Sequence, residues 1–188
     1  MRDAGSMWIA GTVIGMSWVV YLAYWLLQSM RANRAESIRA SGGNAAWLLA
    51  NVVLFAILAR FGYHLRVGSA VLRPAGATVV LAGLVLSIAA RRTLARNWSK
   101  DVALVAGQEL VTTGVYARLR HPIYAGFLLM AAGTALFLET VGVVLLVALL
   151  ATFLLVKARR EEELLAREFP ESYPAYRQRT NAIIPFLY

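Results

Sequence analysis

Five stretches of the chain consist almost entirely of apolar residues and come close to the length of a membrane-spanning helix. The hydrocarbon core of a bilayer is about 30 Å thick and requires about 20 helical residues. The predicted spans cover approximately residues 7–28, 45–63, 74–90, 122–138 and 140–157. The pattern predicts an all-α integral membrane protein with about five transmembrane helices, in which the longest loop lies between the third and fourth spans.

Only Glu139 and Thr140 separate the last two spans, which are both short. Two residues suffice to join antiparallel helices, so we expect a tight helical hairpin. In the first span, Gly11 and Gly15 form a pattern of small residues four apart, which permits close helix approach. Nothing in the sequence divides it further, and we interpret residues 1–188 as one membrane domain. Its first three spans occupy residues 1–90, and residues 91–188 carry most of the polar motifs.

Composition supports the membrane interpretation and excludes several kinds of site. Hydrophobic residues make up 60% of the chain and charged residues only 15%, which is far more apolar than a soluble domain. The chain has no cysteine, which excludes disulfides, cysteine-ligated metals and a cysteine nucleophile. The net charge of +9 comes from residues that punctuate apolar spans and form no continuous basic face, so we expect no nucleic-acid partner.

The distribution of basic residues predicts the orientation of the spans. Of the 19 Lys and Arg residues, only four fall outside the loops after the first, third and fifth spans. These four are Arg2, Arg60, Arg66 and Arg73. Because loops rich in Lys and Arg stay in the cytoplasm, we expect the N-terminus outside and the C-terminus in the cytoplasm.

A polar stretch at residues 110–126 interrupts the apolar sequence just before the last two spans. Its ionisable and aromatic side chains surround Gly114 and Pro122. Pro122 is suited to the first turn of a helix, where its missing N–H removes no hydrogen bond. The ionisable and aromatic members of this stretch are Tyr116, Arg118, Arg120, His121 and Tyr124. We predict that they lie at the mouth of a membrane helix, where they can meet both water and a ligand.

A second charged segment follows the fifth span and contains Lys157, Arg159, Glu161 and Glu162. Lys157 and Glu161 are four residues apart and share a helix face. Spacing alone is compatible with a solvated helix end carrying interleaved ion pairs. The predicted topology, however, places these carboxylates on the same side of the membrane as the stretch 110–126, which favours a shared site.

Residues 91–188 resemble the isoprenylcysteine carboxyl methyltransferase family and its broader relatives, which include the phospholipid N-methyltransferases. Five elements carry the resemblance, and they occur in the family's order. They are Arg92-Thr-Leu-Ala-Arg-Asn-Trp-Ser, Glu109-Leu-Val-Thr-Thr-Gly-Val-Tyr, Arg120-His-Pro-Ile-Tyr-Ala-Gly, Glu161-Glu-Glu-Leu-Leu, and Tyr173-Pro-Ala-Tyr-Arg with Ile184-Pro. The first ninety residues add only hydrophobic spans.

The resemblance implies S-adenosylmethionine as methyl donor and no metal. Glu161 and Glu162 would supply negative charge for the cofactor's ammonium, while His121, Tyr124 and N–H groups at the helix start would bind its carboxylate. Gly114 and Gly126 would let the backbone approach closely. The implied cofactor-binding residues are Leu110, Val111, Gly114, Tyr116, His121, Pro122, Tyr124, Gly126, Glu161 and Glu162.

The resemblance also implies a lipophilic acceptor, most simply the carboxylate of an isoprenylcysteine. Arg120 would orient that carboxylate, with Lys157 or Arg159 as a second cation. With a lipid amine as acceptor, Glu161 would instead take a proton. Two other hypotheses remain open from the sequence: an NADPH-dependent membrane reductase, and a membrane scaffold or lipid-binding protein without enzymatic activity.

Overall fold

A computed structural model describes residues 2–31, 69, 71–95 and 109–183 of the chain. Within these ranges all regular elements are helices, and Leu119 and Asn181 form an isolated β-bridge. The elements are α1 (Arg2–Arg31), α2 (Leu72–Leu94), a 3-10 turn (Gly114–Ala117), α3 (Pro122–Leu138), α4 (Val141–Glu168) and α5 (Tyr173–Gln178). The all-α fold expected from the sequence is confirmed.

Three of the described helices are long and apolar enough to cross a membrane, namely α1, α2 and α4. The shorter apolar helix α3 has the bounds predicted for the fourth span and begins with Pro122 in its first turn. The fifth predicted span continues without a break into the charged segment, because α4 ends only at Glu168. The second predicted span, residues 45–63, lies outside the described residues.

Contacts at both ends show that α1 and α2 run parallel. At one end, Arg91 Nη2 donates a hydrogen bond to Gln28 Oε1 at 3.2 Å. At the other end, Arg73 Nη1 approaches Met7 Sδ at 3.6 Å. We call the end marked by Gln28 and Arg91 the site end, and the end marked by Met7 and Arg73 the opposite end. Parallel neighbours are what the predicted topology requires of the first and third spans.

The closest helix packing is between α2 and α3, where glycines on each helix face the other backbone. A Cβ atom added at Gly83 would lie 2.5 Å from the carbonyl oxygen of Gly126, and one added at Gly133 would lie 2.5 Å from that of Gly76. These glycines are seven residues apart on each helix, so they fall on one face. Small residues let helices in a membrane approach until their backbones touch, and this contact fixes α3 against α2.

The small-residue pattern in the first span has a lesser role. Among the described residues, no atom lies within 4 Å of a Cβ atom added at Gly15, and one added at Gly11 would meet only the Phe137 ring, at 3.3 Å. The glycines that bring two backbones together are therefore in α2 and α3.

A tight turn joins α3 to α4, as the two-residue connection predicts. Glu139 adopts a left-handed conformation with φ of 54°, and its buried carboxylate accepts hydrogen bonds from Arg73 Nε at 3.1 Å and from the Ser69 backbone N–H at 3.0 Å. Near the site end, Ala125 of α3 shares an apolar cluster with Leu154 and Ala158 of α4. The two helices are antiparallel, so α4 returns its charged end to the start of α3.

We expect Gly83→Ala to destabilise the protein, because its methyl group would lie 2.5 Å from a backbone oxygen that cannot move aside. Overpacking of this kind costs about 1–3 kcal/mol. The measurement is the thermal unfolding midpoint in detergent. Gly15→Ala is the matched control, because a Cβ atom added at Gly15 in α1 has no atom within 4 Å among the described residues. Equal midpoints for the two variants would contradict the α2–α3 packing.

Candidate functional site

The site lies at the site end of the bundle, where a backbone pairing holds residues 118–121 in place. Leu119 and Asn181 form a parallel bridge. The Arg120 N–H donates to the Asn181 carbonyl at 2.8 Å, the His121 N–H donates to the Ala182 carbonyl at 2.9 Å, and the Asn181 N–H donates to the Arg118 carbonyl at 3.0 Å. These bonds fix the backbone from which the Arg120 and His121 side chains project.

Arg120 is buried and bonded on several sides within the protein. Its Nε donates to Glu162 Oε1 at 2.7 Å. Its Nη1 donates to the Arg177 carbonyl at 3.1 Å and to the carbonyl and hydroxyl of Thr180. The guanidinium therefore ties α4 to residues 177–183, which we call the C-terminal segment.

His121 lies between the two carboxylates of α4. Its Nδ1 is 3.4 Å from Glu161 Oε2, and its Nε2 is 3.3 Å from Glu162 Oε1. Only a doubly protonated imidazole can donate a hydrogen bond from both nitrogens. The geometry is therefore that of an imidazolium bridging two glutamates.

The electrostatics of His121 agree with this geometry. Burial lowers the pKa of His121, but the hydrogen bonds and negative charges of Glu161 and Glu162 outweigh burial, so the pKa is raised above its ordinary value. Stability from this imidazolium is fully present below the unfolded-state pKa of about 6.5. It is lost as the pH rises through the higher pKa of the folded protein.

Tyr124 and Lys157 complete the site on the Glu161 side. The Tyr124 hydroxyl donates to Glu161 Oε1, and its ring stacks on His121 with centroids 5.5 Å apart. The Lys157 ammonium lies 5.3 Å from the centre of the Tyr124 ring. One quarter of the Glu161 side chain is exposed, so this carboxylate is accessible to a ligand.

Tyrosines of the 3-10 turn and α5 support the other side of the site. The Tyr176 hydroxyl donates to the Tyr116 carbonyl at 2.8 Å. Burial raises the pKa of Tyr176 to about 12 and raises that of Tyr116 as well. Both phenols therefore stay neutral near pH 7, and the Tyr176 hydroxyl ties α5 to the 3-10 turn.

The structure thus brings together six of the residues predicted for the site: Arg120, His121, Tyr124, Lys157, Glu161 and Glu162. Pro122 begins α3 beside them, as predicted. Arg159 is different, because its side chain is exposed. Leu110 and Val111 are partly buried in the segment before the 3-10 turn.

The two glycines predicted to approach a cofactor face helix α2. Gly114 has φ of +59°, and a Cβ atom there would lie 3.2 Å from the Thr93 side chain. A Cβ atom at Gly126 would lie 2.2 Å from Ser87 Oγ. The close approaches that the structure shows at these positions are helix and turn packing.

Sequence reasoning did not assign roles to the C-terminal residues that position Arg120. Thr180 and Asn181 bind its side chain and backbone, and Arg177 Nε lies 3.6 Å from Glu162 Oε2. The nearby motif Tyr173-Pro-Ala-Tyr-Arg indicated that this region matters. Backbone carbonyls that accept hydrogen bonds from a distant arginine, however, cannot be recognised from residue types.

The described residues contain no group of three or more His, Cys, Asp or Glu side chains that could hold a metal ion. The site instead combines a partly exposed carboxylate with several hydrogen-bond donors, beside apolar helices of membrane-spanning length. Such a set can bind a small molecule that carries both positive and negative charge. The fold is that of a multi-pass integral membrane protein with a cluster of charged side chains at one end of its helices.

Comparison with known proteins identifies the family that this class of site resembles. Residues 76–167 match the model of the isoprenylcysteine carboxyl methyltransferase (ICMT) family. The matched segment begins in α2 and includes Arg120, His121 and both glutamates. The resemblance predicted from the ordered motifs is thereby confirmed.

Individual relatives are similar to this chain over part of their length. The chain is 30% identical over 115 residues to protein-S-isoprenylcysteine O-methyltransferase B of Arabidopsis thaliana. The aligned residues cover 60% of this chain and 58% of that protein. The chain is 40% identical over 81 residues to the nickel-cobalt-cadmium resistance protein NccN of Alcaligenes xylosoxydans xylosoxydans, covering 42% of this chain and 37% of that protein. The chain thus spans less than two thirds of the length of these relatives.

A solved structure extends the similarity to the fold. The structure of the eukaryotic intramembrane Ras methyltransferase ICMT superposes with a TM-score of 0.59 at 26% identity, covering 80% of this chain and 55% of that one. Because this coverage exceeds the family-model match, the likeness of the helical arrangement extends beyond residues 76–167.

We expect Glu162→Gln to destabilise the protein by about 3 kcal/mol, because removal of one partner leaves the buried Arg120 charge without its counter-ion. The measurement is the unfolding midpoint in detergent. Glu163→Gln is the matched control, since Glu163 is the exposed neighbour on the same helix and exposed substitutions usually change stability by less than about 0.5 kcal/mol. Equal effects of the two substitutions would contradict the ion-pair network.

Proposed function

We propose that this protein is an S-adenosylmethionine-dependent membrane methyltransferase whose acceptor is the carboxylate of an isoprenylcysteine-like lipid. One observation carries the proposal: the adjacent carboxylates of Glu161 and Glu162 meet the Arg120-His121-Pro122 element inside the segment that matches the ICMT family. The names of the ICMT relatives describe this activity.

The donor set fits the amino-acid part of the proposed cofactor. Its ammonium requires an anion, and the partly exposed Glu161 carboxylate supplies one. Its carboxylate requires donors, for which we propose His121, Tyr124 and the backbone N–H groups at the start of α3. When bound, S-adenosylmethionine supplies an activated methyl group on a sulfonium, and transfer to a carboxylate oxygen leaves a neutral thioether. Such a transfer needs positioning of the acceptor and no general base.

The membrane setting fits a lipophilic acceptor. Apolar side chains on α4, including Leu149 and Leu155, are exposed on the helix that also carries the site carboxylates. A lipid tail can lie along such a surface while its polar head reaches the site end. The acceptor and a water-soluble cofactor can then meet at the membrane border.

Among the predicted cations, we propose that Lys157 orients the acceptor carboxylate. Its contact in the site is the face of the Tyr124 ring, which does not occupy the ammonium's hydrogen bonds. The Arg120 guanidinium, in contrast, is buried against Glu162 and the C-terminal segment. We propose that Arg120 acts as a positioning residue, and that the exposed Arg159 contributes little.

One feature weighs against the reductase and scaffold hypotheses. A reductase or a scaffold would give no reason for adjacent glutamates held by an arginine and a histidine within an ICMT-like segment. A lipid amine is the alternative acceptor, and for this case Glu161 is the group able to take a proton.

The direct test is ligand binding by the purified protein in nanodiscs. We expect calorimetry to detect S-adenosylmethionine and S-adenosylhomocysteine and to show no heat with NADPH. Glu161→Gln should weaken binding about ten-fold to a hundred-fold, because a hydrogen bond to a charged group contributes about 1.5–3 kcal/mol. Binding of NADPH alone would reverse the proposal and favour a reductase.

The assignment of the cations predicts different kinetic results for two variants. Lys157→Ala should lower the single-turnover rate of methyl transfer to a prenylated cysteine acid and leave the Kd of S-adenosylhomocysteine within a few-fold. Arg120→Lys should impair folding stability and cofactor binding together, because an ammonium cannot reproduce the forked contacts of a guanidinium.

The same assay includes a phospholipid amine as second acceptor and Arg159→Ala as the control for an exposed cation on the same helix. Transfer to the amine alone would move the assignment to N-methylation. An unchanged rate in Lys157→Ala together with a slowed rate in Arg159→Ala would show that Arg159, and not Lys157, orients the acceptor carboxylate.

We also propose that the site end faces the cytoplasm, with the N-terminus outside. The support is the excess of Lys and Arg in loops at that end. Because the chain has no cysteine, single cysteines introduced at Arg160 and at Val71 report each side cleanly. We expect a membrane-impermeant thiol reagent to label position 71 from outside and position 160 only after permeabilisation. The reverse labelling pattern would invert the topology.

A further inference from the structure

The side chains around His121 carry more positive than negative charge, and this excess opposes the binding of a ligand with positive charge. Within the described residues, three cationic side chains lie against the two carboxylates of the site, and a fourth lies over the neighbouring Tyr124 ring. The carboxylates belong to Glu161 and Glu162. The cations are Arg120 before α3, His121 at its start, Lys157 on α4 and Arg177 on α5.

Four phenols lie beside the same group, and they add no charge. The Tyr124 hydroxyl donates to Glu161, so it acts as a neutral donor. Burial raises the pKa values of Tyr116, Tyr173 and Tyr176 above their ordinary range. Near pH 7 the cluster therefore has an excess of two positive charges while His121 remains protonated.

Among the four cations, His121 is the one suited to lose its proton. Arginine stays charged at any physiological pH, and lysine ordinarily titrates near pH 10.4. Histidine ordinarily titrates near pH 6.5. His121 also occupies both glutamates at once, which are the groups that an incoming ammonium needs.

We infer that the His121 imidazolium is an internal cation that stands in for the ligand's positive charge, and that binding of the sulfonium cofactor expels its proton to solvent. This inference rests on the proposed function. The proton leaves a ring nitrogen of His121, the ligand's ammonium takes its place beside Glu161, and no other bond is made or broken. The total charge at the site then stays nearly constant.

The sign of the pH dependence follows from this exchange. The cofactor binds the form with neutral His121, and the protonated form predominates below the pKa of His121. Raising the pH should therefore strengthen binding of S-adenosylmethionine, by up to about ten-fold per pH unit below that pKa. Above it, affinity should no longer change with pH.

Isothermal titration calorimetry at pH 6.5 in phosphate and in Bis-Tris tests the exchange, because these buffers differ in ionisation enthalpy. For the full chain in nanodiscs, the buffer dependence of the binding enthalpy should show release of about one proton per S-adenosylmethionine. S-adenosylhomocysteine carries the same ammonium and should release a similar number of protons. This comparison uses the unaltered protein and is independent of any folding defect in a variant.

Two variants assign the proton to its residue. The chain has two histidines, His64 and His121. His121→Gln should bind S-adenosylmethionine without releasing a proton and with a flat pH profile, whereas His64→Gln should behave like the unaltered protein. Binding with an enthalpy that is the same in both buffers would overturn the inference and leave the proposed function intact. Absence of binding at every pH would instead remove the proposed function, and with it this inference.

Discussion

The buried ion pair between Arg120 and Glu162 is the contact on which the arrangement of the site depends. Its two members come from parts of the chain that are 42 residues apart, and the same guanidinium also binds carbonyls of the C-terminal segment. A buried charge of this kind is costly unless it is fully paired. The pairing is possible only when the start of α3, the end of α4 and the C-terminal segment are all in place. Formation of the site is thus coupled to correct assembly of the last third of the chain.

Helix packing in the membrane provides the frame for this ion pair. With Gly83 against Gly126 and Gly76 against Gly133, α2 and α3 meet backbone to backbone, which leaves little freedom for one to slide along the other. The hydrophobic effect does not favour contact between two helices that are both surrounded by lipid. Close packing of small residues therefore holds these two helices together, as the burial of an apolar core does in a soluble protein. His121 directly precedes α3, so the packing of α3 against α2 determines where His121 lies.

Much of the fold was predictable from the sequence because membrane spans carry a strong and local signal. The limits of the fourth span, the two-residue turn at Glu139 and the continuation of the fifth span into the charged segment all follow from runs of apolar residues and their interruptions. The co-location of Arg120, His121, Glu161 and Glu162 also followed, because a hairpin of two spans must return its second helix to the start of the first. These inferences need only length and polarity.

The remaining features depend on contacts that a single sequence does not encode locally. Gly11 and Gly15 satisfy the small-residue pattern, yet the glycines that bring two backbones together are seven apart on α2 and α3. The role of Gly126 depends on what α2 places opposite it, which is Ser87. Likewise, the sequence shows that Arg120 is basic, but its buried position arises from carbonyl groups of Arg177 and Thr180 about sixty residues later.

Helix α4 joins the turn at Glu139 to the glutamates of the site as one uninterrupted element from Val141 to Glu168. At 1.5 Å per residue, the distance from the turn to Glu161 is about 30 Å, which is also the thickness of the hydrocarbon core. The length of this helix therefore sets the distance between the turn and the glutamates, in addition to crossing the membrane. One residue more or fewer would still leave a helix long enough to cross, but it would turn the glutamates by about 100° and away from His121. The register of this helix, and not only its hydrophobicity, is constrained by the chemistry at its end.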